Sequence, residues 1–476
     1  MSGLREELRG GWRGPGGGRE VLAIAYPLIL SQMSYTLETF LDRVFLTWYS
    51  PEAVAGAVTG VFSTWAPMGL CIGTAEYLTT FVAQYSGAGR PERVGPAVWQ
   101  GIYFALLAGA LIASLNPLAG PLFALAGHEA TLQMHEVTYS RILMIGAFPI
   151  ILMAALSTFF AGRGQTGVIL KVNLLSAEVD VVLNYLWIFG HAGFPRAGVA
   201  GAAWSTVVAQ ALGAVVFLAL ILRAEFRRAY ATLTGWRFEP ALFWRLLRFG
   251  FPAGLQTSVE IVAFAIFLLI VGRFGVAPLA ASSLAFSLNM IVFMPTLGIG
   301  VAVSSLVGRY LGGERPDLAE RSTWSGLRIS MVYMSACGAL YVFAPRLLLG
   351  AYAVGTEGTV VGGVTEMAVV LLRFVALYSI FDMMNVVFAA GLKGAGDTTY
   401  PLVLTIGLSW IAMLLPTWVL CVHFDFGLYT AWSLATLYVV LVGLLMMRRF
   451  RAGRWKTMRV IEPRITEIDV PQPEPA

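Results

Sequence analysis

Apolar runs of about 20 residues, the length a helix needs to cross a hydrocarbon core of about 30 Å, recur along nearly the whole chain. They fall near residues 21–46, 53–85, 95–115, 137–161, 167–190, 198–222, 243–272, 279–308, 322–343, 366–391, 398–422 and 427–447, separated by short connections rich in Gly, Pro and Arg. Inside a bilayer each backbone polar group must bond within its own segment, so such runs read as helices. The pattern predicts an all-α integral membrane protein of about twelve transmembrane helices.

The pattern is also written twice. Pro27 to Gly101 lies over Pro252 to Gly326 without a gap, and Pro27/Pro252, Gly73/Gly298, Tyr85/Tyr310, Arg90-Pro91/Arg315-Pro316 and Trp99/Trp324 coincide in register. Each copy opens a set of six spans, and the basic stretch from Arg223 to Arg248 falls between them. This predicts two pseudo-symmetric six-helix lobes, residues 21–222 and 243–450, joined by a cytoplasmic linker at 223–242 and flanked by cytoplasmic tails at 1–20 and 451–476. Six is even, so both lobes start from the same side and are related by an axis along the membrane normal, with a substrate path between them. The acids do not follow the repeat: Asp42 falls on Phe267, Glu38 on Ala263, Glu76 on Val301 and Glu260 on Tyr35.

Composition agrees with the spans. A hydrophobic fraction of 58% and a charged fraction of 12%, against about 25% in soluble domains, exclude an ordinary soluble protein. The net charge of +5 does not indicate a nucleic-acid partner, because Lys and Arg gather in the short connections on one side: Arg90, Arg93, Arg163, Lys171, the Arg223–Arg248 stretch, Arg309, Arg315, Arg321, Arg328 and the cluster from Arg448 to Lys456. The opposite connections hold little beyond Arg196, Arg273 and Arg346, so the positive-inside rule expects both termini in the cytoplasm of a multi-pass plasma-membrane protein, as in a bacterial inner membrane. The first twenty residues lack an apolar core and a small-residue cleavage site, so a tail is expected there and not a signal peptide. The stretch after Lys456 is polar and Pro-rich, which predicts a disordered end. Cys71, Cys337 and Cys421 have no metal-ligand spacing and read as small core residues, while His128, His135, His191 and His423 fall at the span ends opposite the termini, where an interfacial role is the simplest reading.

The informative polar residues are those inside spans, where an aspartate costs about 2.5–3.5 kcal/mol and therefore needs a reason. Glu38 and Asp42 stand four apart on one helix face; Glu76 lies in the second span, Glu178, Asp180 and Asn184 in the fifth, Glu260 in the seventh, Asp382 and Asn385 in the tenth. Glu178 and Asp180 cannot share a face, so at most one points into a given cavity. Basic residues inside the spans are few, and an acidic cavity attracts cations. Glu38, Glu76, Glu178 and Asn385 are thus candidate cavity residues.

Three of these positions lie in motifs that resemble the multidrug and toxic compound extrusion family, in particular its NorM-type branch, over about residues 20–450. In PLILSQMSYTLETFLDRVFL an aspartate, Asp42, follows the proline by fifteen residues; in PAGLQTSVE Glu260 follows Pro252 by eight; FDMMNVVFAAGLKGAGDTTYP carries Asp382 and a glycine-rich turn at Gly394–Thr398. The resemblance implies a cation-coupling role for Asp42, Glu260 and Asp382. A second family site, an Asn and an Asp four apart on the fifth helix with a Thr on the sixth, is matched by Asp180, Asn184 and Thr206, with the two residue types exchanged along the helix.

The function expected is a cation-coupled antiporter, using Na⁺ or H⁺, that exports organic cations, drugs or other toxic small molecules as a monomer by alternating access between the lobes. No cofactor and no metal beyond the coupling ion is expected, and no enzymatic activity: the chain has no GxxxxGK[ST] phosphate loop and no HExxH or locally paired catalytic set. Pro27 and Pro252 each remove a helical hydrogen bond and mark candidate hinges, with a static kink as the alternative. The other function considered, a flippase for lipid-linked oligosaccharides or polyprenol precursors of the same wider superfamily, would call for a basic cavity.

Overall fold

The computed structural model describes residues 12–353 and 359–463. Among these residues there is no strand, and twelve long helices carry the architecture: α1 (Gly18–Tyr49), α2 (Pro51–Glu76, continued as Leu78–Gly87), α3 (Val94–Ser114), α4 (Ala130–Ile145, continued as Ala147–Ala161), α5 (Thr166–Phe189), α6 (Val199–Ile221), α7 (Pro240–Gly272), α8 (Val276–Gly312), α9 (Pro316–Phe343), α10 (Thr359–Ala395), α11 (Thr399–His423) and α12 (Gly427–Arg451). Eight are long and apolar enough to cross a membrane individually, and two bent pairs, α2 and α4, bring the number to ten. The remaining two, α1 and α5, are those that carry Glu38, Asp42 and Asp180.

Local chemistry sets where the helices start and stop. Ser50 Oγ accepts the Ala53 N–H at 3.0 Å and Pro51 occupies the first turn of α2, where its missing N–H has no helical partner to lose. α5 ends on Gly190 at φ 77°, a conformation that favours glycine. α1 and α7 run on through Pro27 and Pro252, α4 bends by 49° at Gly146, and α11 contains two π-helical turns, Ser409–Leu414 and Val419–His423.

The helices form two lobes. In the first, α1 packs on α5, α5 on α6, and α4 on α2 and α3; in the second, α10 packs on α8, α9 and α12, and α7 on α11. The lobes meet where α1 crosses α8 and α2 crosses α7. These crossings obey the repeat. A Cβ on Gly73 would stand 2.8 Å from Gly254 Cα, and a Cβ on Gly298 would stand 2.8 Å from the Ile29 nitrogen. Gly298 is the repeat partner of Gly73, and Gly254 that of Ile29. Gly87 against the Arg309 carbonyl and Gly312 against the Gln84 carbonyl form a second such pair.

The apolar core shows where the lobes join. One cluster, from Val21 through Phe81, Phe159 and Leu306 to Phe450, takes residues from both lobes and lies toward the side on which the described chain ends sit, here the terminal side. On the far side the core divides, into a first-lobe cluster around Leu46, Ile142 and Val199 and a second-lobe cluster around Phe267, Leu372 and Trp432. The lobes are therefore joined on the terminal side and parted on the far side.

Both described chain ends help to close the terminal side. Glu20 of α1 pairs with Arg309 of α8 and accepts the Tyr310 hydroxyl at 2.5 Å. Tyr85, the repeat partner of Tyr310, donates to Glu462 at 2.8 Å, and the same carboxylate pairs with Arg90 at 2.5 Å, Arg245 at 2.5 Å and Arg93 at 3.3 Å. This corrects the expectation of disorder immediately after Lys456. Val460 is 2% exposed and its N–H reaches Gln84 at 2.9 Å, so residues 457–463 are docked by an apolar anchor and a buried-side ion pair that composition alone does not reveal. Residues 1–11 of the first tail and 464–476 of the last lie outside the described residues.

Candidate functional site

The far-side half of the first lobe gathers acids from two helices. Glu38 and Asp42 sit one turn apart on α1, and α5 runs alongside, tied to α1 by Asn173 Nδ2 donating to Ser31 Oγ at 2.5 Å. One helical face of α5 carries Asn173, Asp180 and Asn184 toward α1. Asn184 donates to Asp42 Oδ1. Asp180 lies within hydrogen-bonding reach of Asp42, Ser205 and Thr206, yet neither of its carboxylate oxygens receives a hydrogen, because Ser205 Oγ and Thr206 Oγ1 donate instead to the Ala202 carbonyl. Asn184 Oδ1 is likewise buried without a donor. Tyr35 and Tyr139 complete the surroundings.

This arrangement is chemically unbalanced. Glu38, Asp42 and Asp180 are close enough to repel one another when ionised, and Asp180 is fully buried. Such a cluster gains from taking up a proton or a small cation. Thr206 and Asn184 supply neutral oxygens at the same place.

A second group lies in the other lobe. Glu260 of α7 accepts from Gln256 Nε2 at 2.9 Å, and Asp382 of α10 stands in its field with Asn385 as a hydrogen-bond partner. Tyr438 of α12 senses both acids. Lys393, near the terminal end of α10, lies in the field of both Glu260 and Glu76, whose side chains are left uncovered by neighbouring helices although they sit far inside the spans. An apolar hollow lined by Leu255, Val259, Val262, Ile266, Trp410 and Leu414 opens between α7 and α11, on a face of α7 other than that of Glu260.

The sequence-derived residues thus fall into two groups: Glu38, Asp42, Asp180, Asn184 and Thr206 in one lobe, and Glu260, Asp382 and Asn385 in the other. Glu76 joins the second group through Lys393. Glu178 is exposed on the face of α5 turned away from Asp180. Sequence reasoning passed over Tyr35, Tyr139, Ser205, Gln256, Lys393 and Tyr438. Two of these carried a signal, since Gln256 stands four residues before Glu260, and Lys393 is one of only three lysines in the chain.

The MatE family model matches this chain twice, over residues 27–186 and 252–418, together more than half its length, and the two matches begin at the prolines that open the repeat. A probable multidrug resistance protein NorM from Thermotoga maritima is 25% identical over 457 residues, covering 94% of this chain and 96% of the relative. The multidrug resistance protein PmpM of Pseudomonas aeruginosa is 27% identical over 395 residues, covering 82% and 81%. Among solved structures, a MOP superfamily transporter from Pyrococcus furiosus superposes with a TM-score of 0.84 at 19% identity over 95% of this chain and 98% of the other. A multidrug resistance MATE family transporter in an outward-facing conformation gives the same TM-score, identity and coverage. The twelve helices, the twofold match and the full-length relatives agree that this chain is a multi-pass membrane protein belonging to the MatE family of multidrug and toxic compound extrusion transporters, with NorM-type relatives.

Proposed function

We propose that this transporter is a cation-coupled antiporter that exports organic cations and other toxic small molecules, working as a monomer in a bacterial plasma membrane with its terminal side in the cytoplasm. The observation that carries the reading is the buried Asp42–Asp180–Asn184 cluster, in which Asp180 has no hydrogen donor. A proton or Na⁺ taken up there from the far side, the outside, relieves the repulsion and favours a different packing of α1 on α5. The arginine-rich connections on the terminal side support the orientation. The multidrug resistance names of relatives such as PmpM support the substrate class.

Export is driven by the ion gradient. One monovalent cation moving down 100 mV supplies about 2.3 kcal/mol, and a tenfold concentration ratio adds about 1.4 kcal/mol. Together they sustain a substrate gradient of about a few hundredfold per ion. Glu260 and Asp382 form the second coupling site. With Glu76, Glu260 and Asp382 set against Lys393, the cavity suits a cationic or zwitterionic substrate better than a lipid pyrophosphate.

The test is dye efflux from proteoliposomes under an imposed pH or Na⁺ gradient, for the parent protein and for Asp42→Asn, Glu260→Gln and Asp382→Asn. Gradient-driven efflux is expected from the parent and a loss of at least about tenfold from each variant, the about 1.4 kcal/mol of one removed charged contact. Failure of both gradients to drive any cationic compound removes the antiporter reading.

A further inference from the structure

One buried acid of the first lobe belongs to neither group. Glu136, in the second turn of α4, is completely buried, and its Oε2 has no hydrogen-bond partner. Its Oε1 lies 2.8 Å from Nδ1 of His128, whose side chain is 38% exposed at the far-side surface. Four residues further along α4, Ser140 bonds the Gly60 carbonyl, where Gly56 and Gly60 of α2 lie directly against α4. Between them, one turn deeper than Glu136 and on the same face, stands Tyr139, which is 8% exposed and in the field of Asp42, Asp180 and Tyr35. At 1.5 Å per residue, Glu136 lies about 10 Å below the far-side end of α4 and Asp42 about 10 Å below the far-side end of α1. His128 and Glu136 thus form a contact that runs inward from the surface, and Tyr139, on the next turn of α4, lies in the field of the Asp42–Asp180 pair.

We propose that His128 and Glu136 are the proton inlet of the first-lobe coupling site, an inference that rests on the antiporter reading above and makes H⁺ the ion that uses this route. His128 takes a proton from external water at one ring nitrogen and gives the Nδ1 proton to Glu136. Glu136 passes it to the Tyr139 hydroxyl, which releases its own hydrogen to Asp42 or Asp180 as it receives the new one. The net change is one proton moved from outside to the cluster, with His128, Glu136 and Tyr139 returned to their starting forms. The other charged groups near this route are Glu129 beside His128, His135 in weak electrostatic contact with Glu52 at the start of α2, Arg141 on the next turn of α4, Arg43 near Tyr139, and Glu38 beside Asp42. The helices α3 and α6 and the second half of α4 bring no charged side chain to this face. An acid buried only to tie the loop before α4 to that helix accounts for the His128 contact, but leaves Oε2 buried and unpartnered.

The experiment measures substrate efflux and internal acidification together in proteoliposomes after an external pH drop, for the parent, His128→Ala, His128→Gln, Glu136→Gln and the neighbouring control His135→Gln. Both His128 variants and Glu136→Gln are expected to slow proton-driven efflux at least tenfold at neutral external pH, with dye affinity unchanged and His135→Gln at the parent rate. Added imidazole is expected to restore His128→Ala toward the parent rate, which a purely structural role does not permit. Should Glu136→Gln fail to fold, the surface His128 variants still decide the matter. Parent-like rates and pH profiles in the His128 variants, or no recovery with imidazole, overturn the inlet and leave the antiporter reading standing. Efflux driven by Na⁺ but not by a pH gradient overturns the inlet while keeping cation coupling, and a parent that answers to neither gradient overturns both.

Discussion

The contact between Asn184 and Asp42 is the narrowest point of the proposed coupling site, because it is where α5 holds the carboxylate of α1. Removing the amide leaves Asp42 without that donor, a loss worth about 1.5–3 kcal/mol for a hydrogen bond to a charged group. Asn184→Leu is therefore expected to lower gradient-driven efflux by about 10- to 100-fold, read in the proteoliposome assay. Glu178→Gln, on the opposite face, is expected to stay within about twofold, since an exposed acid there makes no contact with the cluster. Lys393 works in the other direction. It lies in the field of Glu76 and Glu260 and, under the proposed function, competes with an organic cation, so Lys393→Gln is expected to tighten binding of a monovalent cationic dye by about 3- to 10-fold, measured by equilibrium fluorescence. The positions of these residues were partly legible in the sequence. Asp42, Asp180 and Asn184 stood out because charge inside an apolar run is conspicuous, whereas Tyr139 and Ser205 did not, because tyrosine and serine are ordinary in spans and only the packing of α4 and α6 gives them neighbours.

The crossing of α2 on α7 carries the closed side of the molecule. Gly73 and Gly254 let the two backbones approach as far as main-chain contact, and a methyl group on Gly254 would meet the Leu70 carbonyl and the Thr74 amide. Overpacking of this kind costs about 1–3 kcal/mol. Gly254→Ala is expected to disfavour the conformation joined on the terminal side, and pulsed spin-label distances between the far-side ends of α1 and α7 are expected to shorten as the population moves. Helix number, order and most ends were readable from hydropathy and turns, although α4, α9 and α10 start six or seven residues before their apolar runs, and the crossings of α1 on α8 and α2 on α7 follow the repeat. The bend at Gly146 and the π turns of α11 were not readable, because both depend on neighbours and leave the apolar pattern unbroken.

At the scale of the whole molecule, the two lobes are asymmetric where they do chemistry and nearly symmetric where they touch, and the docked segment around Glu462 is the exception that mends a mismatch. Burial disfavours the charge of Glu462, but its own backbone N–H, the Tyr85 hydroxyl, Arg90 and Arg245 outweigh this and hold its carboxyl down to about 2, below the ordinary 4.5. A group held low stabilises the docked form above its free value. Docking is thus expected to be constant from neutral pH to about 4.5 and to weaken as pH falls toward 2, followed by Trp455 fluorescence. Glu462→Gln is expected to expose Arg459 to trypsin at least about tenfold faster at neutral pH, the effect of losing one charge-assisted contact. The reason this contact exists lies in the duplication. Carrying the register of Pro27 and Pro252 seven residues back along α1 and α7 places Arg245 on Glu20. In one copy the acid beside the tyrosine comes from the helix itself; in the other that helix offers a base, and the acid has to come from beyond the last span. Synthesis runs from the N-terminus, so all twelve helices precede the carboxylate that pairs with Arg90 and Arg245. A nascent chain inserting into the membrane thus holds both lobes before it holds their clasp.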